Sequence, residues 1–440
     1  MLVTATVAIV QRHGSLLCDK IIGRAMILEY SCRVMVTLAD IQTARTRIAG
    51  TIYNSPCTYS ETLSRTSGAQ VFLKLDNLQM TGSFKERGAL NKLLTLSSTE
   101  RQKGVIAASA GNHGLGVAYH AQRLGIPATI VMPRFAPLIK VNSARRYGAE
   151  VILAGMDFDE ALAEARRVQN ERGSTFISAF NDPAIIAGQG TLGLELLEQV
   201  PHFDAVIIPV GGGGLSGGIA VALKQSGFRG RLIGVQAERI PGMKIAIEAG
   251  KPVPISPAAT IADGIAVRQV GDNTLPLIQR HVNEIVTVCE SDIARAILLL
   301  LEIEKTVVEG AAATTLAALL NCPLTLVGKT VILVISGGNI DMNVISRVIE
   351  KGLVREGRLA RISLIIPDRP GGLARVSTLV ADQGANILEI VHTRGFSRAE
   401  IGESEITLTL EISGEEHLSR ILRELRAAGY HGFEEGIRSP

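Results

Sequence analysis

The feature that most constrains the fold is a repeated alternation of short apolar strands and helical segments. Apolar runs at residues 105–108, 128–132 and 150–154 are each followed by a stretch with helical character. Runs of the same kind recur elsewhere, at residues 71–75, 205–210, 232–236 and 331–335. Strands that alternate with helices are typical of a parallel sheet covered by helices. The chain is therefore predicted to have an α/β fold.

Composition supports this fold class and argues against two kinds of partner. The 440 residues suffice for two or three domains, and the chain is 46% apolar with 45 glycines. The net charge is only +3 and forms no basic stripe, so no nucleic-acid partner is expected. The apolar run at residues 1–10 is too short to span a bilayer, so no membrane partner is expected either.

The cysteines indicate neither a disulfide framework nor a zinc site. They are odd in number, widely spaced and without a Cys-x-x-Cys pair: Cys18, Cys32, Cys57, Cys289 and Cys322. Disulfide-rich and zinc-binding chains show paired, closely spaced cysteines instead. A cytoplasmic location is expected from this pattern.

Residues 1–34 differ in character from the rest of the chain. A signal peptide carries its positive charge before the apolar stretch, whereas here Arg12 and Lys20 come after it. We interpret residues 1–34 as an N-terminal extension outside the fold, which is expected to begin near Met35.

A lysine at the start of a predicted helix is the first candidate for chemistry. Lys85 follows a Gly-Ser turn within the stretch Thr-Gly-Ser-Phe-Lys-Glu-Arg-Gly-Ala, and a helix is predicted over residues 86–96. The helix dipole and partial desolvation both favour the neutral amine, which can form a Schiff base. A lysine in such a position is more often simply solvated. Three motifs downstream favour a functional role: Ser-Ala-Gly-Asn-His-Gly at 109–114, Gly-Gly-Gly-Gly-Leu at 211–215, and Ser-Gly-Gly-Asn at 336–339.

In this order the four motifs resemble the pyridoxal-phosphate enzymes of the tryptophan-synthase-β type (fold type II), most closely the threonine dehydratases. The resemblance implies an α/β catalytic domain with two parallel-sheet lobes, expected at residues 35–352, and pyridoxal 5'-phosphate as cofactor. It implies a cofactor site made of Phe84, Lys85, Asn112, Gly211, Gly212, Gly213, Gly214, Leu215 and Ser336. It implies that the substrate contacts Ser109, Ala110, Gly111, Asn112 and His113.

The glycine run has a second interpretation. Glycines after a buried strand let N–H groups surround a phosphate at a helix N-terminus. However, Gly212, Gly214 and Gly217 also fit a dinucleotide fingerprint, with Glu238 placed like a ribose-binding acid. The phosphate of pyridoxal phosphate is favoured, because a nicotinamide-dependent oxidoreductase leaves the Lys85 and Asn112 loops without a role. A third class, a binding protein without catalysis, is disfavoured by the intact motifs.

The resemblance also implies a reaction. Lys85 holds the cofactor and takes the Cα proton, the loop at 109–113 grips the substrate carboxylate, and Asn112 contacts the phenolic oxygen of the cofactor. Ser336 meets the pyridine nitrogen, and His113 is expected to pack rather than act as a base. Loss of the β-hydroxyl as water then converts threonine to 2-oxobutanoate and ammonia, and serine to pyruvate. This is the first step of isoleucine biosynthesis or of threonine catabolism.

Serine dehydratases and racemases of the same fold are the alternative. Racemases carry a serine before the Gly-Asn pair, where this chain has Ala110, which cannot transfer a proton. Metal-binding relatives carry an acid where this chain has Gln236, so no metal site is expected. A dehydratase is therefore favoured. Asp263 and Glu309 lie in segments that also resemble dehydratases, with helix capping or turn formation as an equally good explanation.

A second domain follows the catalytic one. A linker is predicted at residues 353–360, and residues 361–440 show a βαββα order whose Asp-Arg-Pro-Gly-Gly loop resembles an ACT regulatory domain. The last strand, at 430–437, is only weakly marked. Such small domains usually pair with a neighbour, so a homodimer or homotetramer is expected, with isoleucine or valine as effector. A docking or dimerisation domain without a ligand is the alternative.

Overall fold

The computed structural model describes residues 36–434, in which the chain forms two compact units. One unit contains the described residues up to Ile293 together with Ile303–Asn339. The other contains Ala294–Glu302 and the described residues from Ile340 onward. The N-terminal extension predicted at residues 1–34 lies outside the described residues. Within the described part of the chain, no helix is long and apolar enough to cross a membrane.

The first unit is built on two sheets. Its strands are β1 (Cys57–Ser60), β2 (Gln70–Leu75), β3 (Val105–Ala108), β4 (Ala128–Met132), β5 (Glu150–Leu153), β6 (Thr175–Phe176), β7 (Ala205–Pro209), β8 (Arg231–Ala237), β9 (Glu284–Val288) and β10 (Thr330–Ile335). The larger lobe has the strand order β1-β2-β10-β7-β8-β9, and the smaller lobe has the order β5-β4-β3-β6. All neighbouring strands are parallel except β1, which runs antiparallel to β2.

Helices connect these strands. They are α1 (Leu38–Ile48), α2 (Glu61–Ser67), α3 (Lys85–Leu94), α4 (Ser98–Lys103), α5 (Asn112–Arg123), α6 (Leu138–Arg146), α7 (Phe158–Arg172), α8 (Pro183–Gln199), α9 (Gly214–Gln225), α10 (Gly242–Ala249), α11 (Thr274–His281), α12 (Glu290–Glu304) and α13 (Gly310–Asn321). The middle part of α12, Ala294–Glu302, belongs to the second unit. Short 3-10 helices lie at Asp76–Leu78 and Asp263–Ile265.

The central strands are buried because helices cover both faces of the sheet. Every residue of β7 is buried, and β10 is buried along all but its first residue. Continuous apolar runs of this kind are typical of parallel strands with two covered faces. Helices α8 and α9 approach closely through glycines: a Cβ on Gly190 would lie 2.9 Å from the carbonyl oxygen of Gly218. This close packing positions the glycine run at the start of α9.

A buried ion-pair network fixes helix α3. The guanidinium of Arg87 donates to both carboxylate oxygens of Asp76, at 2.7 and 2.8 Å, and to Glu195 on α8. Lys74 on β2 also pairs with Glu195. Because the Arg87 side chain is fully buried, both carboxylates compensate its charge. The first turn of α3, which contains Lys85, is thereby held between α8 and the 3-10 helix that follows β2.

Most predicted elements of the first unit are present, with shifted ends. Strands β3 and β4 have the predicted bounds, whereas β5 ends at Leu153, one residue before the predicted end. Strands β1, β6 and β9 were not predicted. The first of these is a polar edge strand and the second has only two residues, so neither carries an apolar pattern.

The second unit is a small α+β sandwich. Its elements are α14 (Met342–Arg355), β11 (Leu359–Pro367), α15 (Gly372–Asp382), β12 (Asn386–Thr393), β13 (Glu403–Glu411), α16 (Glu415–Ala427) and β14 (Gly432–Glu434). The sheet order is β12-β13-β11-β14, and all three pairings are antiparallel. The weakly marked last strand is formed, since β14 pairs with the middle of β11.

Alternation of apolar residues builds the core of this unit. On β13 the residues Ile406, Leu408 and Leu410 face inward and are buried between more exposed neighbours. The segment predicted as a linker, 353–360, is mostly regular: α14 continues to Arg355 and β11 begins at Leu359. Only residues 356–358 lie outside both elements.

Candidate active site

All of the predicted site residues line one cavity of about 600 Å³ in the first unit. It opens at the carboxyl ends of β3, β7 and β10, the edge where parallel sheets place ligands. The predicted residues among its lining are Phe84, Lys85, Ser109, Ala110, Gly111, Asn112, His113, Gly211, Gly212, Gly213, Gly214, Leu215 and Ser336. Segments more than 200 residues apart in sequence therefore meet in one place.

Lys85 is the first residue of α3, and its amine lies in the cavity. The Nζ atom donates to the carbonyl oxygen of Ala179 at 3.1 Å and lies 5.2 Å from the centre of the Phe84 ring. Desolvation lowers the pKa of Lys85 to about 8, although the carboxyl group of Glu309 acts in the opposite direction. The neutral amine is therefore a minor form at neutral pH but far more populated than for an ordinary lysine, and this is the form that nucleophilic chemistry requires.

The glycine run forms a turn that no larger residue can make. Gly213 has φ +93°, and a Cβ there would lie 2.8 Å from the side chains of Met243 and Thr274. A Cβ on Gly212 would collide with the ring of Phe180. The first N–H groups of α9 have no intrahelical acceptor, and within residues 36–434 no other backbone acceptor bonds those of Gly214 and Leu215. The run is suited to an anion.

The loop between β3 and α5 presents polar groups from the smaller lobe. The hydroxyl of Ser109 accepts a hydrogen bond from the N–H of Gly111 at 3.2 Å. The side chain of Asn112 donates to both carboxyl oxygens of Glu309, at 2.9 and 2.8 Å. Its amide oxygen accepts from Asn339 at 2.8 Å. Contacts to two separate segments of the larger lobe thus fix the orientation of the Asn112 amide.

His113 is held neutral. Its ring is buried, and Nε2 lies 2.9 Å from the carbonyl oxygen of Ile177, which can only accept. Burial, with a smaller contribution from the charge of nearby Lys85, lowers the pKa of His113 to about 3. An imidazole with both this pKa and this hydrogen bond is a structural donor at neutral pH.

Ser336 joins the cavity to the lysine loop. It is buried, and its carbonyl oxygen accepts from the N–H of Phe84 at 3.0 Å. The next residue, Gly337, forms an antiparallel bridge with Ser83. The end of β10 and the loop before Lys85 are therefore held side by side.

Glu309 belongs to the site. From the sequence, helix capping or turn formation explained this residue as well as a site role did. It occupies the N-cap position of α13, but its side chain makes no capping hydrogen bond and instead contacts Asn112. Burial raises the pKa of Glu309 to about 7. Asp263 also lines the cavity, but its side chain is 64% exposed and pairs with Lys140 at 3.2 Å. Asn339, the last residue of the Ser-Gly-Gly-Asn motif, was not predicted as a site residue, because an asparagine after glycines is an ordinary turn signal.

Comparison with known proteins identifies the family. The family described as "Pyridoxal-phosphate dependent enzyme" matches residues 48–337, and the ACT domain family matches residues 360–429. The chain belongs to the pyridoxal-phosphate dependent enzymes of fold type II, and it carries a C-terminal ACT domain. The predicted fold class, family and cofactor are thereby confirmed.

Individual relatives cover most of the chain. An L-threonine ammonia-lyase of Thermotoga maritima is 49% identical over 396 residues, 90% of this chain and 98% of that protein. A structure of threonine deaminase isoform 2 from Solanum lycopersicum is 35% identical with a TM-score of 0.68, covering 74% and 93% of the two chains. A serine racemase from Dictyostelium discoideum is 34% identical with a TM-score of 0.66, covering 70% and 99%.

The residues present fit pyridoxal phosphate. The cavity brings an amine of lowered pKa close to unpaired N–H groups at a helix start, where the glycines leave no side chain in the way. An amide, Asn112, and a hydroxyl, Ser336, line the same space. Within residues 36–434 no cluster of histidine, cysteine and acidic side chains could hold a metal ion.

Proposed function

We propose that this protein is a threonine ammonia-lyase that converts L-threonine to 2-oxobutanoate and ammonia, and also L-serine to pyruvate. The observation that carries the proposal is the convergence of Lys85, the Asn112 loop, the glycine run and Ser336 on one cavity. The identity to an L-threonine ammonia-lyase over 98% of that relative supports the choice of reaction.

Each part of the cofactor has a counterpart in the chain. In this proposal Lys85 binds the aldehyde, the N–H groups of Gly211–Gly214 and Leu215 hold the phosphate, and Asn112 and Ser336 meet the phenolic oxygen and the pyridine nitrogen. Phe84 packs beside the lysine. When bound, pyridoxal phosphate withdraws electrons from the substrate Cα, which acidifies its proton and lets the β-hydroxyl leave.

The remaining work is done by the side chains and backbone of the chain itself. The Nζ atom of Lys85 accepts the Cα proton, and its lowered pKa keeps part of the amine neutral for this step. The backbone N–H groups at the start of α5, with Ser109, Ala110 and Gly111 before them, hold the substrate carboxylate. His113 keeps that loop in place through its hydrogen bond to Ile177 and transfers no proton.

Racemisation is not expected, although racemases share the fold. Reversal of configuration needs a proton donor on the face of the substrate opposite Lys85. Ala110 lines the cavity in the loop where a racemase carries its serine, and its methyl group has no proton to transfer. Threonine and serine differ by one methyl group, which is worth about 1–3 kcal/mol of discrimination, so both are expected as substrates.

Regulation and assembly form a second part of the proposal. Residues 35–352 would be the catalytic domain, and residues 361–440, after a linker at 353–360, the regulatory domain. The ACT family match supports an amino-acid effector, for which we propose isoleucine or valine. A docking domain without a ligand is the competing role. We further propose a homodimer or homotetramer in the cytoplasm, acting in isoleucine biosynthesis or threonine catabolism.

The purified protein provides the test. Its visible spectrum should show a cofactor band that borohydride removes, and 2-oxobutanoate should form from threonine. Chiral chromatography should detect no D-serine. A colourless protein that oxidises a substrate with a nicotinamide cofactor would falsify the proposal, and D-serine as the main product would favour the racemase instead.

A further inference from the structure

Both ends of the Asn112 side-chain amide have hydrogen-bond partners among the described residues. Its amide nitrogen donates to both oxygens of Glu309, and its amide oxygen accepts from Asn339. Asn339 also donates to the carbonyl oxygen of Thr81 at 2.6 Å. That second bond identifies the Asn339 amide nitrogen as the donor, so the Asn112 amide cannot turn over without losing its contact to Asn339.

The carboxyl group of Glu309 has little room to move away. A Cβ on Gly337 would lie 2.5 Å from its Oε1 atom, and a Cβ on Gly264 would lie 3.3 Å from the same atom. The carboxyl group therefore lies between two segments whose glycines leave space for it. The residue is 4% exposed, so water provides little alternative hydrogen bonding.

Charged groups on several elements act in opposite directions on the pKa of Glu309. Burial raises its pKa to about 7, and Asp263 raises it too, while the Asn112 hydrogen bonds, Lys140 on α6 and Lys85 on α3 lower it. Both forms of the carboxyl group are consequently populated near neutral pH. The two acceptor oxygens belong to one carboxyl group, so a single N–H of Asn112 lies between them. The carboxylate attracts this N–H with both oxygens, whereas the neutral acid keeps one acceptor oxygen and its other oxygen becomes a donor.

We propose that Glu309 is a positioning residue whose protonation weakens its hydrogen bonding to the Asn112 amide nitrogen, which makes this nitrogen available as a donor to an anionic oxygen of the ligand in the cavity. The inference rests on the proposed function, in which Asn112 contacts the phenolic oxygen of the cofactor. Binding then draws a proton from solvent onto those Glu309 side chains that were ionised, and they become neutral acids. Cofactor affinity and proton uptake are linked through this one side chain.

Pyridoxine 5'-phosphate is the appropriate probe. It has the phenolic group and the phosphate but an alcohol in place of the aldehyde, so it forms no covalent bond with Lys85. Calorimetric titration of the cofactor-free protein in buffers of different ionisation enthalpy counts the protons taken up. At pH 7.5 we expect the wild type to take up roughly 0.7 proton more than Glu309→Gln, the fraction of a group with pKa about 7 that is ionised there.

Two controls make the comparison specific. Glu248→Gln makes the same chemical change at an exposed position on α10 and should take up as many protons as the wild type. Difference infrared spectra of the wild type should gain a protonated carboxyl band when the probe binds, a measurement that needs no variant.

The outcomes separate this inference from the proposed function. Equal proton uptake by the wild type and Glu309→Gln, with the probe bound to both, overturns the role of Glu309 and leaves the lyase assignment intact. Absence of the infrared band overturns it too. If neither the probe nor pyridoxal phosphate binds the wild type, the proposed function itself fails.

Discussion

The side chain of Lys85 combines a helix start with a desolvated cavity, and this combination sets its reactivity. The neutral amine is the form that attacks an aldehyde, and the pKa of about 8 places its formation well below the ordinary lysine value of 10.5. The rate at which cofactor-free protein captures pyridoxal phosphate should therefore rise with pH and level off above about 8. Stopped-flow absorbance measures this rate. A rate that still rises between pH 9 and 10, as for N-acetyl-lysine, would contradict the lowered pKa.

Replacing Lys85 removes the proposed base. In Lys85→Ala we expect threonine turnover to fall by at least about 10³-fold, within the range that general acid–base catalysis supplies. His113→Gln is the comparison, because His113 is neutral and only donates to Ile177. That variant should retain turnover within roughly tenfold. Steady-state assays of 2-oxobutanoate formation measure the turnover of both variants. Near-normal turnover of Lys85→Ala would reject Lys85 as the base.

A substitution at Gly212 tests whether the glycine run binds the cofactor. A methyl group there meets the Phe180 ring, so Gly212→Ala must displace either the ring or the turn at a cost of about 1–3 kcal/mol. We expect this cost to appear as weaker binding of pyridoxal phosphate, measured by titration of the cofactor-free protein. Gly395→Ala is the control, because a Cβ at Gly395 meets nothing within 4 Å. Equal affinities in the two variants would show that the run does not hold the cofactor.

At the scale of elements, α3 depends on buried charges for its position. Arg87 follows Lys85 by two residues and lies between the carboxylates of Asp76 and Glu195. Removal of one partner of a buried ion pair leaves an uncompensated charge, whereas the same change at the surface costs little. The reactive lysine is therefore placed by a part of the helix that never reaches the cavity.

Arg87→Met should lower the free energy of unfolding by about 3–5 kcal/mol, because Asp76 and Glu195 lose their shared partner. Arg65→Met removes an exposed ion pair to Glu61 and should cost less than about 1 kcal/mol. Urea unfolding followed by circular dichroism compares the two variants. A similar small loss in both would mean that the buried network contributes little to stability.

On the scale of the whole molecule, the chain joins a catalytic unit to an ACT domain. If isoleucine or valine is the effector, its coupling to threonine turnover should correspond to about 1–3 kcal/mol, or roughly 5–150-fold in apparent affinity. Kinetics with and without each amino acid measure the coupling, and calorimetry measures binding. Alanine serves as the control ligand. If neither effector gives a heat of binding, the docking role of the ACT domain is favoured.

The local chemistry of the site could be predicted from the sequence to a large extent. Strand and helix periodicity, glycines at a turn with positive φ, and a lysine at a helix start are encoded within short segments. The βαββα order of the C-terminal region could also be predicted, because buried and more exposed residues alternate along its strands. These features depend on neighbouring residues along the chain, so the sequence alone determined the fold class and most of the residues proposed for the site, while the resemblance of its four motifs to a known family indicated the cofactor.

Tertiary structure alone decided how those residues are connected. Strands β2, β10 and β7 are neighbours in the larger sheet, although they come from opposite parts of the chain, and their order brings the lysine loop, Ser336 and the glycine run together. Glu309 reaches Asn112 across 197 positions of sequence, and a capping residue would look the same in the primary structure. The protonation of Glu309 and the orientation of Asn112 follow from burial and from partners distant in the chain, which no local pattern records.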